Sequence, residues 1–163
     1  MSVTVYRLAK LRYRDQIFSG LGGLYAHGRW TSRGRPVVYA SGSIALAALE
    51  YTVNYRRRGW VPESVLGRAE IPDDGAIDTV QPVNLPDNWL DANPPPALQE
   101  IGEDWLRKAT TAVLKVPSVA VPEEWNYLLS PRHADFARLV IKEPEPFQFD
   151  RRLSRTRKRG RKS

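Results

Sequence analysis

The chain of 163 residues contains no cysteine and only two histidines, His27 and His133. It can form no disulfide, and it offers too few soft ligands for a zinc or iron–sulfur site, so we expect neither a metal nor a prosthetic group. No run of about 18 apolar residues is present, and the N-terminal stretch MSVTVYRLAKLRYRD lacks the apolar core of a secretory signal. These absences predict a cytoplasmic protein without a membrane span.

The positive charge is concentrated at the C-terminus. The net charge is +7, but residues 151–163 hold eight of the 25 Lys and Arg and no acid, which leaves residues 1–150 at −1. A chain of this length can bury roughly two thirds of its unfolded surface in one core. We therefore predict one domain over 1–150 and a flexible basic tail over 151–163, which is either simply solvated or contacts nucleic acid or an acidic partner.

Hydrophobic patterning outlines the N-terminal half. Alternation and β-branched residues predict strands over 3–8, 35–41 and 64–72, and the glycine-rich stretch FSGLGGLYAHGRW between the first two predicts a loop. A helix is predicted from a cap at Ser41 or Ser43 to a stop at Gly59. On that helix Glu50 lies at the edge of an otherwise apolar surface, where a carboxylate needs a partner or a ligand.

The C-terminal half predicts more strands than helices. An irregular proline-rich connection over 81–99 leads into a helix over 97–111. AVLKVPSVAVP and EWNYLLS then predict a strand pair in which Pro117 forces an edge, bulge or turn. PRHADFARL predicts a helical turn, and RLVIKEPEPFQF one or two closing strands. Because strands and helices do not alternate and the glycines follow no clear strand, we predict an α+β fold with a mixed sheet and no Rossmann site.

The stretch HGRWTSRGRPVVYASGSIALAALE contains the groups that an NAD site requires. Arg29 offers a planar fork to phosphate, Tyr39 a ring face to nicotinamide, and Glu50 an acceptor for ribose hydroxyls. A carboxylate also stabilises the oxocarbenium-like state through which a nicotinamide–ribose bond breaks. Each residue also has an ordinary interpretation, as a surface cation, a core aromatic or a solvated acid. Residue types and spacing alone leave enzymatic and non-enzymatic functions open.

The motifs YRL, GLGG, GRW, GRPVVYAS, ALAALE and VPSVAVPEEWNYLLSPRH occur in this order over most of residues 5–136. In this order they resemble the RES domain family, the toxin component of RES–Xre toxin–antitoxin pairs. The resemblance implies a compact fold with a mostly antiparallel sheet, similar to that of ADP-ribosyltransferase toxins. It also implies an enzyme that degrades NAD by phosphorolysis or hydrolysis, and an Xre-type antitoxin as partner.

The resemblance assigns residues by their match to the family's motifs. It implies catalytic roles for Arg29, Glu50 and Ser118, and NAD binding by Arg7, Arg29, Tyr39, Glu50 and Asn126, although a structural role suits Asn126 equally. The chain departs from the family at His27 and Thr31, where the family often reads GGRWN, and at Ser130, where it often has asparagine. We expect these departures to lie near the site.

We therefore expect a toxin that cleaves the nicotinamide–ribose bond of NAD and so depletes it. Two alternatives stay open. The first is transfer of ADP-ribose onto a protein, and the second is a non-catalytic module that binds nucleic acid through the basic tail.

Overall fold

Eight strands form one sheet in the computed structural model, which describes residues 2–55 and 63–153. The strands are β1 (Val3–Lys10), β2 (Val38–Ser41), β3 (Ser64–Ile71), β4 (Ile77–Thr79), β5 (Val113–Pro117), β6 (Trp125–Leu129), β7 (Val140–Ile141) and β8 (Glu145–Phe147). Their order is β4-β5-β6-β2-β1-β3-β7, and β8 also pairs with β3. Only β4 and β5 run parallel among these pairs, so the mixed, mostly antiparallel α+β fold is confirmed.

In the described part of the chain, three α-helices accompany the sheet: α1 (Gly22–Tyr25), α2 (Ile44–Tyr55) and α3 (Pro96–Lys108). Ser43 caps α2, because its hydroxyl oxygen accepts the backbone N–H of Leu46 at 3.1 Å. The predicted stop at Gly59 lies outside the described residues, as do residues 154–163 of the basic tail. The α3 helix ends three residues before the predicted limit, because Ala109 adopts a left-handed conformation with φ of 49°.

Most predicted strands are confirmed, and the differences have local causes. The β2 strand begins at Val38 rather than at residue 35, because proline has no N–H and the Val37 N–H donates to the carbonyl of Gly20. Pro117 is the last residue of β5 and precedes a turn. Five of the described elements are not predicted from the sequence: β4, the α1 helix inside the glycine-rich loop, and the 3-10 helices over Leu11–Gln16, Pro82–Asn84 and Arg151–Leu153.

The two faces of the sheet bury different clusters, because successive side chains of a strand point to opposite sides. One face is covered by Ile17 and Phe18. The other face carries two clusters. A tryptophan-rich cluster under α3 includes Trp30, Trp89, Trp105 and Leu128. A smaller cluster beside α2 consists of Leu8, Tyr51 and Leu66. Polar Ser41 lies between these two clusters, opposite Tyr6 of β1 on one side and Asn126 of β6 on the other.

Among the described residues, no helix has the length and apolar character of a membrane span, and no group of three or more His, Asp or Glu could hold a metal ion.

Candidate functional site

The carboxylate of Glu50 is held by two side chains from the sheet. Its Oε1 atom accepts hydrogen bonds from the hydroxyl of Ser118 at 2.8 Å and from the amide of Asn126 at 2.7 Å. Both donors use the same oxygen, and no group within residues 2–55 and 63–153 donates to Oε2, which can accept a further hydrogen bond. Glu50 is only partly buried. The fold therefore brings three of the predicted site residues, Glu50, Ser118 and Asn126, together in one hydrogen-bonded cluster.

Sheet register explains how these residues meet. Asn126 on β6 lies opposite Ser41 of β2 and Val116 of β5, and Ser118 directly follows the end of β5. The α2 helix packs across β1 and β2 and carries Glu50 to this end of the strands. The cluster thus joins one helix to the ends of two neighbouring strands.

Ser41 belongs to this cluster although the sequence indicated it only as a helix cap. Its hydroxyl donates to Oδ1 of Asn126 at 2.8 Å. A carboxamide whose oxygen accepts one bond must present its NH2 group elsewhere, here to Glu50. The position of Ser41 opposite Asn126 depends on pairing between strands that are distant in sequence, which no local pattern reveals.

Ser118 uses its hydroxyl in both directions. The side chain is fully buried, and its Oγ accepts the N–H of Val121 at 3.2 Å while its single proton goes to Glu50. The backbone N–H of Ser118 donates to the carbonyl of Glu124 at 2.9 Å. This geometry makes Ser118 a positioning residue for the carboxylate, and the direct catalytic role implied by the family stays a prediction.

Arg29 lies in the loop before β2 and is held from one side. Its NH1 atom donates to the carbonyls of Trp89 at 3.2 Å and Asp91 at 2.9 Å. The adjacent Trp30 is buried against α3, where Gly102 allows close approach because a Cβ there would overlap the carbonyl oxygen of Trp30. The loop that carries Arg29 is therefore anchored by its neighbour. Among the described residues the other guanidinium nitrogens donate to no protein group, which leaves them able to bind an anion.

Arg29 and Glu50 interact electrostatically. Partial burial lowers the pKa of Arg29, and the negative charge of Glu50 acts in the opposite direction. Among residues 2–55 and 63–153 no salt bridge joins the two groups directly. The charges of Arg29 and Glu50 therefore influence each other without a direct ion pair.

Tyr39 is held at both of its ends. Its backbone carbonyl accepts a hydrogen bond from NH1 of Arg7 at 2.8 Å, and its hydroxyl shares a hydrogen bond with Oγ1 of Thr31 at 2.6 Å. Burial raises the pKa of Tyr39 to about 12. Arg7 thus holds the backbone of β2, and the phosphate contact implied for it stays a prediction.

The three departures from the family lie in different places. Thr31 is buried against Tyr39, whereas His27 is exposed in the loop before Arg29. Ser130 follows the far end of β6, four residues from Asn126 and so roughly 13 Å along the strand. Ser130 therefore lies at the other end of β6 from the carboxylate cluster, and its nearness to the rest of the predicted site stays a prediction.

Comparisons with known proteins agree with this fold. Residues 4–150 match the RES domain. A protein named Toxin Res from Yersinia enterocolitica is 35% identical over 150 residues, which cover 91% of this chain and 98% of that protein. A protein named Prs ADP-ribosylating toxin from Sphingobium sp. is 34% identical over 160 residues, covering 95% and 99%.

A solved structure shares the fold at low sequence identity. The crystal structure of the M. tuberculosis MbcT–MbcA toxin–antitoxin complex contains a chain that matches with a TM-score of 0.73 and 15% identity, over 90% of this chain and 85% of that chain. The domain match and the two relatives, which align over nearly their full lengths, show that this chain belongs to the RES domain family of toxins.

Proposed function

We propose that this toxin binds NAD and cleaves its nicotinamide–ribose bond. The observation that carries the proposal is the carboxylate of Glu50, fixed through Oε1 by Ser118 and Asn126 and electrostatically coupled to Arg29. In this assignment Arg29 binds the pyrophosphate and Tyr39 packs its ring on nicotinamide or the attached ribose. The carboxylate then faces the sugar, where positive charge develops as nicotinamide leaves.

The preorganised carboxylate favours the transition state over bound NAD. Nicotinamide leaves with the bonding electron pair and becomes neutral, and the ribose C1 carbon gains oxocarbenium character. A negative charge that is already fixed near this carbon stabilises that state without reorganisation. Glu50 also accepts hydrogen bonds from ribose hydroxyls through Oε2, which orients the sugar.

Release of nicotinamide from NAD tests the proposal directly. Purified protein is incubated with NAD and the products are separated by chromatography. The wild-type protein is expected to release nicotinamide. Glu50→Gln should lower kcat at least about a hundredfold, because it removes the negative charge that stabilises the transition state. Glu143→Gln, which alters an exposed ion pair with Arg14, should behave like wild type. Absence of turnover in the folded wild-type protein contradicts the proposal.

The acceptor is decided by adding inorganic phosphate. In phosphorolysis a phosphate oxygen forms the new bond to ribose C1 and the product is ADP-ribose phosphorylated at that carbon. In hydrolysis water forms this bond, a proton is released and the product is ADP-ribose. A rate that rises with phosphate concentration, together with the phosphorylated product, identifies phosphorolysis.

Transfer of ADP-ribose to a protein is the second candidate. It is favoured by the similarity to the protein named Prs ADP-ribosylating toxin, which covers nearly all of both chains. In this reaction a nucleophilic side chain of the target takes the place of water or phosphate. NAD labelled in the adenylate part then leaves its label on a macromolecule, whereas hydrolysis and phosphorolysis leave it in a small product.

We also propose an Xre-type antitoxin as the partner. The structural neighbour was solved as a toxin–antitoxin complex, and the family resemblance implies such a pair. Expression of this chain alone should arrest growth, and co-expression of the neighbouring antitoxin gene should restore it. Growth arrest that Glu50→Gln does not relieve would separate toxicity from NAD cleavage.

A further inference from the structure

The side chain of Tyr39 is divided between a buried hydroxyl and a partly exposed remainder. The residue as a whole is only partly buried, yet its hydroxyl bonds the buried Thr31. Gly28 packs directly on this oxygen, since a Cβ at that position would overlap the hydroxyl. The polar end of Tyr39 is therefore enclosed by the loop, and the exposed part of the residue lies away from the hydroxyl.

The partner of this hydroxyl belongs to a closed turn. The N–H of Gly28 donates to the carbonyl of Thr31 at 2.9 Å, and the carbonyl of Gly28 accepts from Nε2 of Gln99 on α3 at 3.0 Å. Arg29 lies inside this turn. One hydrogen bond between Thr31 and Tyr39 thus fastens the loop that carries the arginine to the strand that carries the ring.

We propose that Thr31 is a positioning residue of the NAD site, which anchors the hydroxyl of Tyr39 so that this residue meets the substrate with its ring. The inference rests on the proposed function, because it takes NAD as the ligand of Tyr39 and Arg29. It also gives a role to one of the chain's departures from the family motif, Thr31.

The anchor affects binding more than chemistry. A ring that packs on the substrate does so in the ground state and in the transition state alike. A less firmly held ring therefore weakens the binding of both states equally. Such uniform binding appears in KM and leaves kcat nearly unchanged. A hydroxyl that moved a proton during the reaction would instead show itself in kcat and in the pH profile.

Substitutions at Thr31 separate the hydroxyl from the shape of the side chain. Thr31→Val keeps the volume and removes the hydrogen bond, and we expect KM for NAD to rise about fivefold with kcat within twofold of wild type. Thr31→Ser keeps the hydroxyl and should restore KM. As a control, Thr111→Val removes another buried hydroxyl, bonded to Trp105 and Asp78, and should lower stability without changing KM. An unchanged KM in Thr31→Val, or a fall in kcat instead, overturns the proposal.

Substitution of Tyr39 tests the same hydrogen bond from its other end. Tyr39→Phe should reproduce the KM of Thr31→Val, and the double variant should be no worse than either, because both changes remove one interaction. The pH profile of kcat/KM should keep its shape. Loss of an ionisation from the profile of Tyr39→Phe would mean that the hydroxyl takes part in the reaction, which contradicts the anchor.

A measurement without NAD keeps this inference distinct from the proposed function. In proton NMR spectra the hydroxyl proton of Tyr39, assigned by its loss in Tyr39→Phe, should be protected from exchange with water. It should disappear in Thr31→Val and persist in Thr31→Ser. Absence of this signal from wild type overturns the anchor whether or not NAD is cleaved, whereas wild type that shows the signal but never turns over NAD contradicts only the proposed function.

Discussion

The amide of Asn126 donates to the carboxylate of Glu50 at 2.7 Å across 76 positions of sequence. Hydrogen bonds to a carboxylate are stronger than those between neutral groups, so this contact restricts the orientation of the Glu50 side chain. Because Ser41 occupies the carbonyl oxygen of the same amide, Asn126 cannot turn its acceptor toward the acid without losing a bond. The hold of Asn126 on Glu50 therefore depends on the pairing of β2 with β6, while Ser118 holds the same oxygen from the end of β5.

Ser118→Ala should impair NAD cleavage through the carboxylate. It removes one of the two donors to Glu50, and a hydrogen bond to a charged group contributes about 1.5–3 kcal/mol, so kcat/KM should fall roughly 10- to 100-fold. If Ser118 acts only through the acid, the double variant with Glu50→Gln should be no slower than Glu50→Gln alone. Ser19→Ala is the matched control, because within the described residues the Ser19 hydroxyl bonds the local backbone of Gln16 and Leu21. A further loss in the double variant would instead indicate direct contact of Ser118 with the substrate.

Ser41→Ala should have a smaller effect of the same kind. It frees the amide of Asn126 to rotate, and loss of one neutral hydrogen bond worth about 1 kcal/mol predicts about a fivefold fall in kcat/KM. Asn126→Ala should cost more, and combining the two should add little to it. Ser43→Ala provides the control, because it removes the α2 cap and lowers the free energy of unfolding by about 1 kcal/mol without touching Asn126. Additive effects of Ser41→Ala and Asn126→Ala would contradict the coupling.

Local patterns predicted the elements of this fold better than their contacts. The α2 helix and the β5–β6 pair follow from periodicity, capping and turn residues, which act over a few positions. Ser41 and Arg7 received other interpretations, because their partners are fixed by register between distant strands. The short β4 strand was missed because its three residues, Ile77–Thr79, are too few for alternation to show.

The carboxylate cluster was accessible from sequence only through family resemblance. Residue types alone left Glu50 as a solvated acid or a ligand. The family resemblance added Ser118 and Asn126 as further candidate site residues, without indicating that they contact Glu50. What neither source indicated is that both donors share one oxygen of Glu50, since this depends on how α2 lies across the strand ends. The contact between Thr31 and Tyr39 was hidden for a similar reason, because it forms only when the loop closes.

Gly102→Ala should destabilise the protein and displace the loop that carries Arg29. The added methyl group would overlap the backbone carbonyl of Trp30, which cannot move without shifting α3 or the loop. Overpacking of this kind costs about 3 kcal/mol, more than the roughly 1 kcal/mol that alanine contributes to a helix over glycine. Gly22→Ala in α1 meets no atom within 4 Å and is the matched control. Urea unfolding measures both, and equal stability of the two variants would contradict the close packing of α3 on Trp30.

The free energy of unfolding should fall at alkaline pH because of Tyr39. Burial raises the pKa of its phenol to about 12 from the ordinary value of 10.0, so between these values the unfolded chain loses the proton and the folded chain keeps it. The folded state then binds more protons, and stability decreases as the pH rises. The contribution is fully present below about pH 10 and is lost toward pH 12, with a total of about 2–3 kcal/mol.

Urea unfolding of wild type and Tyr39→Phe at a series of pH values above about 9 measures this effect. Phenylalanine has no proton to lose, so the variant should show a shallower decline, and the two curves should approach each other as the pH rises. Tyr25→Phe removes a hydroxyl from a side chain that is 79% exposed and serves as the matched substitution. Parallel curves for wild type and Tyr39→Phe would mean that the phenol is not enclosed, and would also contradict its anchoring by Thr31.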